Sequence, residues 1–287
     1  MTSFQTVSAG GSEVFYREAG EPGAPKLLLL GGFPSSSHQF RYLMPALADR
    51  FHLVSLDYPG SGNTEMPDPA EWEYTFDHLA EIVDETLLAI DFTGPMGLYT
   101  QGYGGPIGNR LISLHPDWLQ WQLIQNANLY EEGFTEAWDG IRHVLWANRD
   151  AETEAPLEAF LEPETVKAIY LTGHPDPTKI SPDNWNMDLH FLARPNAHRV
   201  QLDLFYDYRT NAAQYTAWQG RLRRDQPKTL IFWGQGDIFF TSAGGEAYLR
   251  DLPDATLIRL DSGHFAVHDC LQEIVDGINS FYDEVVK

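Results

Sequence analysis

Polar and apolar side chains alternate over residues 4–8 and 12–18, a period-two pattern that predicts two strands joined as an antiparallel hairpin at Gly10-Gly11. The pattern then changes to continuous apolar runs. Lys26-Leu27-Leu28-Leu29-Leu30 and Phe51 to Leu56 read as strands buried as inside a parallel sheet, and Gly97 to Gln101, Leu119 to Gln125, Lys228 to Gly234 and Ala255 to Leu260 as further strands. Between them the apolar period lengthens to that of a helix. Ser35 to Ser37 can cap a helix running to about Ala48. Phe76, Leu79, Ile82, Val83 and Leu87 make one stripe of a helix over Thr75 to Ala89, another helix follows Gln101 to about Leu114, and an amphipathic helix runs from about Asp269 to Val286.

Strands alternating with helices predict an α/β fold with a mostly parallel, doubly wound sheet, whose ligand site lies at the carboxyl ends of the strands. The rhythm is interrupted once. From about Tyr130 to Gln214 the chain is irregular, rich in Trp, Tyr, Pro and His, and too long to be a connecting loop, which predicts an inserted helical cap. The expected organisation is a core domain of residues 1–129 and 215–287 with a cap (lid) domain of residues 130–214. There is no internal repeat and no low-complexity segment.

Charge and composition narrow the partners. The 287 residues carry 19 Lys and Arg against 41 Asp and Glu, a formal net charge of −22, which repels phosphate backbones and anionic lipid and excludes nucleic acid. No apolar run approaches the roughly 20 residues of a membrane span, and the N-terminus lacks the apolar core of a signal peptide. One cysteine, Cys270, excludes an internal disulfide. The expectation is a cytoplasmic monomer or homodimer whose partner is a small-molecule substrate. No His-Glu-x-x-His helix, cysteine cluster or nucleotide-binding glycine fingerprint points to a metal or an organic cofactor, so the expected cofactor set is none.

The chemistry centres on Tyr99-Thr100-Gln101-Gly102-Tyr103-Gly104-Gly105-Pro106, where an apolar strand runs into glycines and then a helix. A sharp strand-turn-helix crossing is how a nucleophile elbow lifts one side chain above a sheet, with small residues on both sides. Two further features follow strand ends: Asp237 in Trp233-Gly234-Gln235-Gly236-Asp237, and His264 in Leu260-Asp261-Ser262-Gly263-His264-Phe265. The order is elbow, acid, histidine.

In these motifs the chain resembles an α/β-hydrolase of the epoxide hydrolase and haloalkane dehalogenase branch, over nearly its whole length. The family's His-Gly-x-Pro stands here as Gly31-Gly32-Phe33-Pro34, its small-x-nucleophile-x-small-small elbow as Thr100-Gln101-Gly102-Tyr103-Gly104-Gly105, and the Asp57-x-Pro59-Gly60-x-Gly62 turn and Gly263-His264-Phe265 also match. The resemblance implies an oxyanion hole from the backbone N–H groups of Phe33 and Tyr103, and an Asp237 that orients His264. It also implies an aspartate nucleophile, and there the chain departs, because the position is Gly102. Phe33 stands where the dehalogenases have Asn and Tyr103 where they have Trp, which favours an epoxide-hydrolase-like ancestor. Trp138, Trp146, Tyr170, Trp185, Tyr206 and Tyr208 supply aromatic rings to the expected cap, with Trp146, Tyr170 and Trp185 as candidate substrate contacts and Tyr170 as candidate hydroxyl donor.

Simpler roles stand beside these. Asp237 and His264 can be a buried polar pair, Asp57 a residue that fixes its turn, His38, His78, His115 and His268 surface or helix-terminal residues, the cap aromatics the cap's own core, and Cys270 a small side chain of the last helix. A glycine at the elbow accepts its backbone geometry freely but removes the covalent step. Three accounts of the protein follow. In the first, an enzyme acts on a small, largely apolar molecule, such as a secondary metabolite, by acid/base chemistry of His264 and Asp237, as a hydrolase, lyase, isomerase or cyclase. The second is an epoxide-hydrolase-like enzyme inactivated at Gly102. The third is a non-catalytic receptor.

Overall fold

The computed structural model describes all 287 residues. Eight strands form one sheet in the order β1-β2-β4-β3-β5-β6-β7-β8, with β1 at Ser3–Ala9, β2 at Ser12–Ala19, β3 at Lys26–Leu30, β4 at His52–Leu56, β5 at Met96–Gln101, β6 at Leu119–Gln125, β7 at Lys228–Gly234 and β8 at Thr256–Leu260. The hairpin expected at Gly10-Gly11 closes with Ala9 opposite Ser12, and β2 also pairs antiparallel with β4. From β4 onward every pairing is parallel. The continuous apolar runs are the reason: each of β3 to β5 is buried almost throughout.

Two layers of helix cover the faces. On one side α1 (Leu43–Leu47) and the last helix pack on Leu27, Leu29, Tyr99, Trp121 and Phe232. On the other lie α2 (Phe76–Ala89), capped by the Thr75 side chain, and α3 (Gly104–Leu114), packed on Leu28, Leu30 and Leu98. The helix expected over Ser35 to Ala48 is in fact two pieces, a 3-10 turn at Ser37–Phe40 and α1. Pro45 accounts for the restart, because a proline has no N–H to donate and fits only the first turn of a helix.

Between β6 and β7 the chain runs through short turns and α4 (Ala151–Glu154), α5 (Pro163–Leu171), α6 (Asp183–Leu192) and α7 (Ala197–Asp225). Residues 214 and 215 both lie within α7, a single helix of 29 residues. After β7 come α8 (Ser242–Asp251), β8 and α9 (Leu271–Phe281), which continues as a π-type turn to Val286. No helix is long and apolar enough to cross a membrane.

Candidate active site

The elbow sits at the centre of the sheet. β5 ends at Gln101, Gly102 turns with φ +52°, and α3 begins two residues later. Side chains adopt that left-handed conformation only at a cost, and glycine does not. At Gly104 the demand is for space, since a Cβ there would lie 2.0 Å from the carbonyl oxygen of Leu30. That contact presses the start of α3 against β3 and brings the two strand-end loops together. A Cβ on Gly32 would lie 2.7 Å from the nitrogen of Tyr103. Phe33, whose bond to Pro34 is cis, and Tyr103 therefore face one another, and neither N–H is taken up by a backbone carbonyl.

Gly31 is explained by packing. A Cβ at residue 31 would stand 1.8 Å from Nε2 of Gln39, so the buried Gln39 side chain fills the room that a side chain at residue 31 would need. The departure from the His-Gly-x-Pro motif and the glutamine in the following turn are one arrangement.

Asp237 and His264 come from the loops after β7 and β8. His264 Nδ1 donates to Asp237 Oδ2 at 2.7 Å. The same oxygen accepts from the Asn126 carboxamide at 2.8 Å, and Oδ1 accepts from the Phe239 N–H at 2.7 Å. A carboxylate only accepts, so Nδ1 carries the hydrogen and Nε2 keeps its lone pair. The His264 backbone is tied down as well, its carbonyl accepting from Gln101 at 3.3 Å and Gln125 at 3.1 Å. Nε2 has no protein partner and lies 3.3 Å from the point where a Cβ on Gly102 would be.

Above these groups is a narrow cavity of about 30 Å³, lined by Gly102, Tyr103, Phe33 and His264 below and by Trp138, Ile141, Phe160 and Phe205 above, with Phe239 and Phe240 at the side. Water-sized occupants need about 10–15 Å³ each by this measure, so the space suits two or so such groups. Its walls are apolar: Trp138 spends its indole N–H on the Phe239 carbonyl at 3.1 Å.

Four of the expected site residues, Gly102, Tyr103, Phe33 and His264, thus share this cavity, with Asp237 directly behind His264. Trp146, Tyr170 and Trp185 do not line it. Trp146 donates to the Phe205 carbonyl at 3.0 Å, behind the wall. The Tyr170 hydroxyl, fully buried and in need of a partner, donates to Asp188, while its ring stacks on Phe265 with centroids 4.4 Å apart. Trp185 packs beside it, with ring centroids 6.4 Å apart. Aromatic density along a sequence does not tell which face a ring turns. Asn126 and the Phe239-Phe240 pair were missed. Their only signal is position, just past the ends of β6 and β7.

Thr172-Gly173-His174 plays a part the sequence did not suggest. It is wedged between the two dyad loops, where a Cβ on Gly173 would meet the Gly236 carbonyl oxygen at 2.3 Å and a Cβ on Gly263 the Thr172 carbonyl oxygen at 2.2 Å. His174 pairs with Asp269, which also accepts from the Ser262 hydroxyl at 2.8 Å.

Two of the histidines read as surface or helix-terminal residues, His38 and His268, lie half-buried in the last turns of short 3-10 helices. Burial and the nearby Arg41 guanidinium pull the His38 imidazole down to about 4 and that of His268 well below its ordinary value. His78 stacks on Trp72 and His115 on Trp118 at helix ends, as expected. Asp57 holds its turn by accepting from the Ser37 and Asn63 N–H groups, both at 2.7 Å. Cys270 is buried just before α9, with its thiol pushed up to about 12. No three His, Cys, Asp or Glu side chains are grouped to hold a metal ion.

The chain matches the family described as the alpha/beta hydrolase fold over residues 25–269. An uncharacterized hydrolase of Saccharomyces cerevisiae is 34% identical over 277 residues, covering 96% of this chain and 94% of that protein. A haloalkane dehalogenase of Bradyrhizobium diazoefficiens is 31% identical, covering 90% of this chain and 87% of that protein. Among solved structures, an epoxide hydrolase of Vigna radiata superposes with a TM-score of 0.76 over 99% of this chain and 98% of that one, at 18% identity, a likeness of fold. On these findings, together with the elbow and the histidine-aspartate pair at the sheet's carboxyl edge, the chain belongs to the α/β-hydrolase fold family.

Proposed function

We propose that this protein is an α/β-hydrolase-fold enzyme that acts on a small, largely apolar organic molecule, of the secondary-metabolite kind, without a covalent intermediate. The observation that carries the reading is His264, whose Nδ1 is committed to Asp237 while Nε2, 3.3 Å from the Cβ point of Gly102, is left to act in an apolar cavity. Residues 130–214 are read as the cap domain that closes over it.

In hydrolysis, Nε2 takes a proton from a water as the water oxygen bonds to the substrate's carbonyl carbon. The oxyanion forms between the N–H groups of Phe33 and Tyr103. Asp237 offsets the imidazolium charge, and the proton returns to the leaving oxygen. In elimination, isomerisation or cyclisation, Nε2 would take the proton from a substrate C–H or O–H instead. Tyr170, engaged with Asp188, is not in position to donate to an epoxide oxygen. The single thiol is buried and unpaired, in keeping with a cytoplasmic setting.

Small apolar esters, lactones and β-hydroxyketones, offered to the wild type and to His264→Ala in parallel, test the reading. Turnover that falls by about 10³-fold in the variant supports it. Turnover unchanged in the variant, or a tightly held ligand recovered intact after long incubation, ends it.

A further inference from the structure

We infer that Gln201 and the loops after β3 and β4 form a second site, beside the reaction cavity, that holds a small neutral hydroxylic co-substrate, water in hydrolysis. The inference rests on the proposed role of His264 and adds the place from which its water is supplied.

The site follows from how α7 lies on the core. A Cβ on Gly60 would stand 2.6 Å from Cγ1 of Val200, so the helix presses directly on the turn Tyr58-Pro59-Gly60-Ser61. The next residue, Gln201, and Leu204 one turn further on then roof a space of about 20 Å³ between that turn and the loop Gly32 to Ser35. At roughly 10–15 Å³ for each water, the space suits one water or two close together. Gln201 is only 6% exposed, and its carboxamide, which borders the space, has no hydrogen-bond partner in the protein. An amide carries two donor hydrogens and an acceptor, and burying them unpaired is costly, so the group is placed to meet a hydrogen-bonding guest. Two neighbours on the wall can join it: the Ser61 hydroxyl, which donates to the Tyr58 carbonyl at 3.1 Å and keeps its lone pairs, and the Gly60 N–H, which no backbone carbonyl accepts. The guest is neutral, because no charged side chain borders the space.

The two spaces share a wall. Phe33 and Tyr103 border both, with ring centroids 6.0 Å apart, and the partly exposed Ser61 lies on the solvent side of the smaller one. The reaction cavity is apolar, and a substrate that fills its about 30 Å³ leaves no room for a reserve of water. The water consumed therefore has to come from beside it. Gln201 holds that water behind the Phe33-Tyr103 wall, and a shift of either ring admits it to Nε2 of His264. For an ester the step balances as in the proposed hydrolysis: the water oxygen bonds to the acyl carbon, its proton passes through Nε2 to the departing alkoxide, and an acid and an alcohol result. With methanol in place of water the same transfer gives a methyl ester and the alcohol. Gln201 acts through the water and not on the reacting carbon, which makes it a positioning residue.

Two measurements separate the site from the function it serves. A high-resolution crystal structure of the wild type should show ordered water hydrogen-bonded to the Gln201 amide, replaced by methanol in a soaked crystal, and Gln201→Leu should lose it. No water at Gln201, or the same water in the variant, overturns the site whether or not any ester is turned over. The second measurement follows ethyl acetate in a water and methanol mixture and counts acetate against methyl acetate. Gln201→Leu should keep its KM for the ester within about twofold, lose about tenfold in kcat for hydrolysis, and raise the ratio of methyl acetate to acetate about threefold, because leucine favours the methyl group of methanol over water. Gln201→Met should do the same, so that misfolding of one variant does not stand in for the effect. An unchanged product ratio in both variants overturns the positioning role while leaving the proposed function intact. Water bound at Gln201 in a wild type that turns over no ester removes the proposed function, and the supply role with it, but not the site.

Discussion

His264 reaches toward Gly102 across a gap with no protein side chain in it: Nε2 is 3.3 Å from the point where a Cβ on residue 102 would stand. The other side of the ring is fixed by Asp237 at 2.7 Å. The imidazole proposed as the base is held in place, and residue 102 has no side chain for it to meet.

Replacing Asp237 with Asn should keep the fold and lower kcat by about 10³–10⁴-fold, because an amide can donate to Nδ1 and turn the imidazole to the wrong tautomer. KM should change little. A kcat that is unchanged in the variant would count against the dyad.

Gly102→Asp should create a nucleophile. A Cβ there has no contact under 3.3 Å, but φ of +52° makes the variant less stable by about 1–3 kcal/mol. In a His264→Gln background an alkyl bromide should leave an ester on the protein, seen as a mass increase equal to the alkyl group. An unmodified mass sinks the prediction.

Gly173→Ala should damage both stability and catalysis, since its Cβ would press on the backbone carbonyl of Gly236, beside Asp237, at 2.3 Å. The expected cost is about 2–4 kcal/mol, measured by urea unfolding. kcat should fall more than KM rises, as expected of a loop that positions the dyad.

Asp188 should impose a pH slope on stability. Burial raises its carboxyl to about 7, above its ordinary value, so the folded state holds a proton that the unfolded state has already lost. The stability advantage is complete below about pH 4 and disappears as the pH rises through 7. Asp188→Asn, which still accepts from Tyr170, should flatten that slope, a change on the order of 2–4 kcal/mol between pH 4 and 8. An unaltered slope rejects the assignment.

Gly31→Ala should destabilise the chain through Gln39, 1.8 Å from the new Cβ, and the added Gln39→Ala should recover most of the loss. Additive effects in the double variant would show that the two positions do not share that space.

Much of this was legible in the chain. Continuous apolar runs such as Leu27 to Leu30 can be satisfied only inside a covered sheet, so they fix a parallel core, and the order Gly102, Asp237, His264 along successive strand ends fixes which loops meet. Chain order, periodicity and glycine spacing are local properties, and local properties survive in one dimension. The side-chain commitments are different. That Tyr170 spends its hydroxyl on Asp188, that Asn126 supports Asp237, that Gln39 fills the place beside Gly31, and that Thr172 to His174 brace the dyad are decided by residues 18 to 111 positions apart, or within a turn whose direction the sequence leaves open. Each depends on which of several nearby partners a buried polar group reaches first in three dimensions. The sequence by itself determined the frame and the glycine at the turn after β5; the tertiary structure alone decided the shape of the cavity and which aromatic rings enclose it, because packing selects among rotamers that the sequence permits equally.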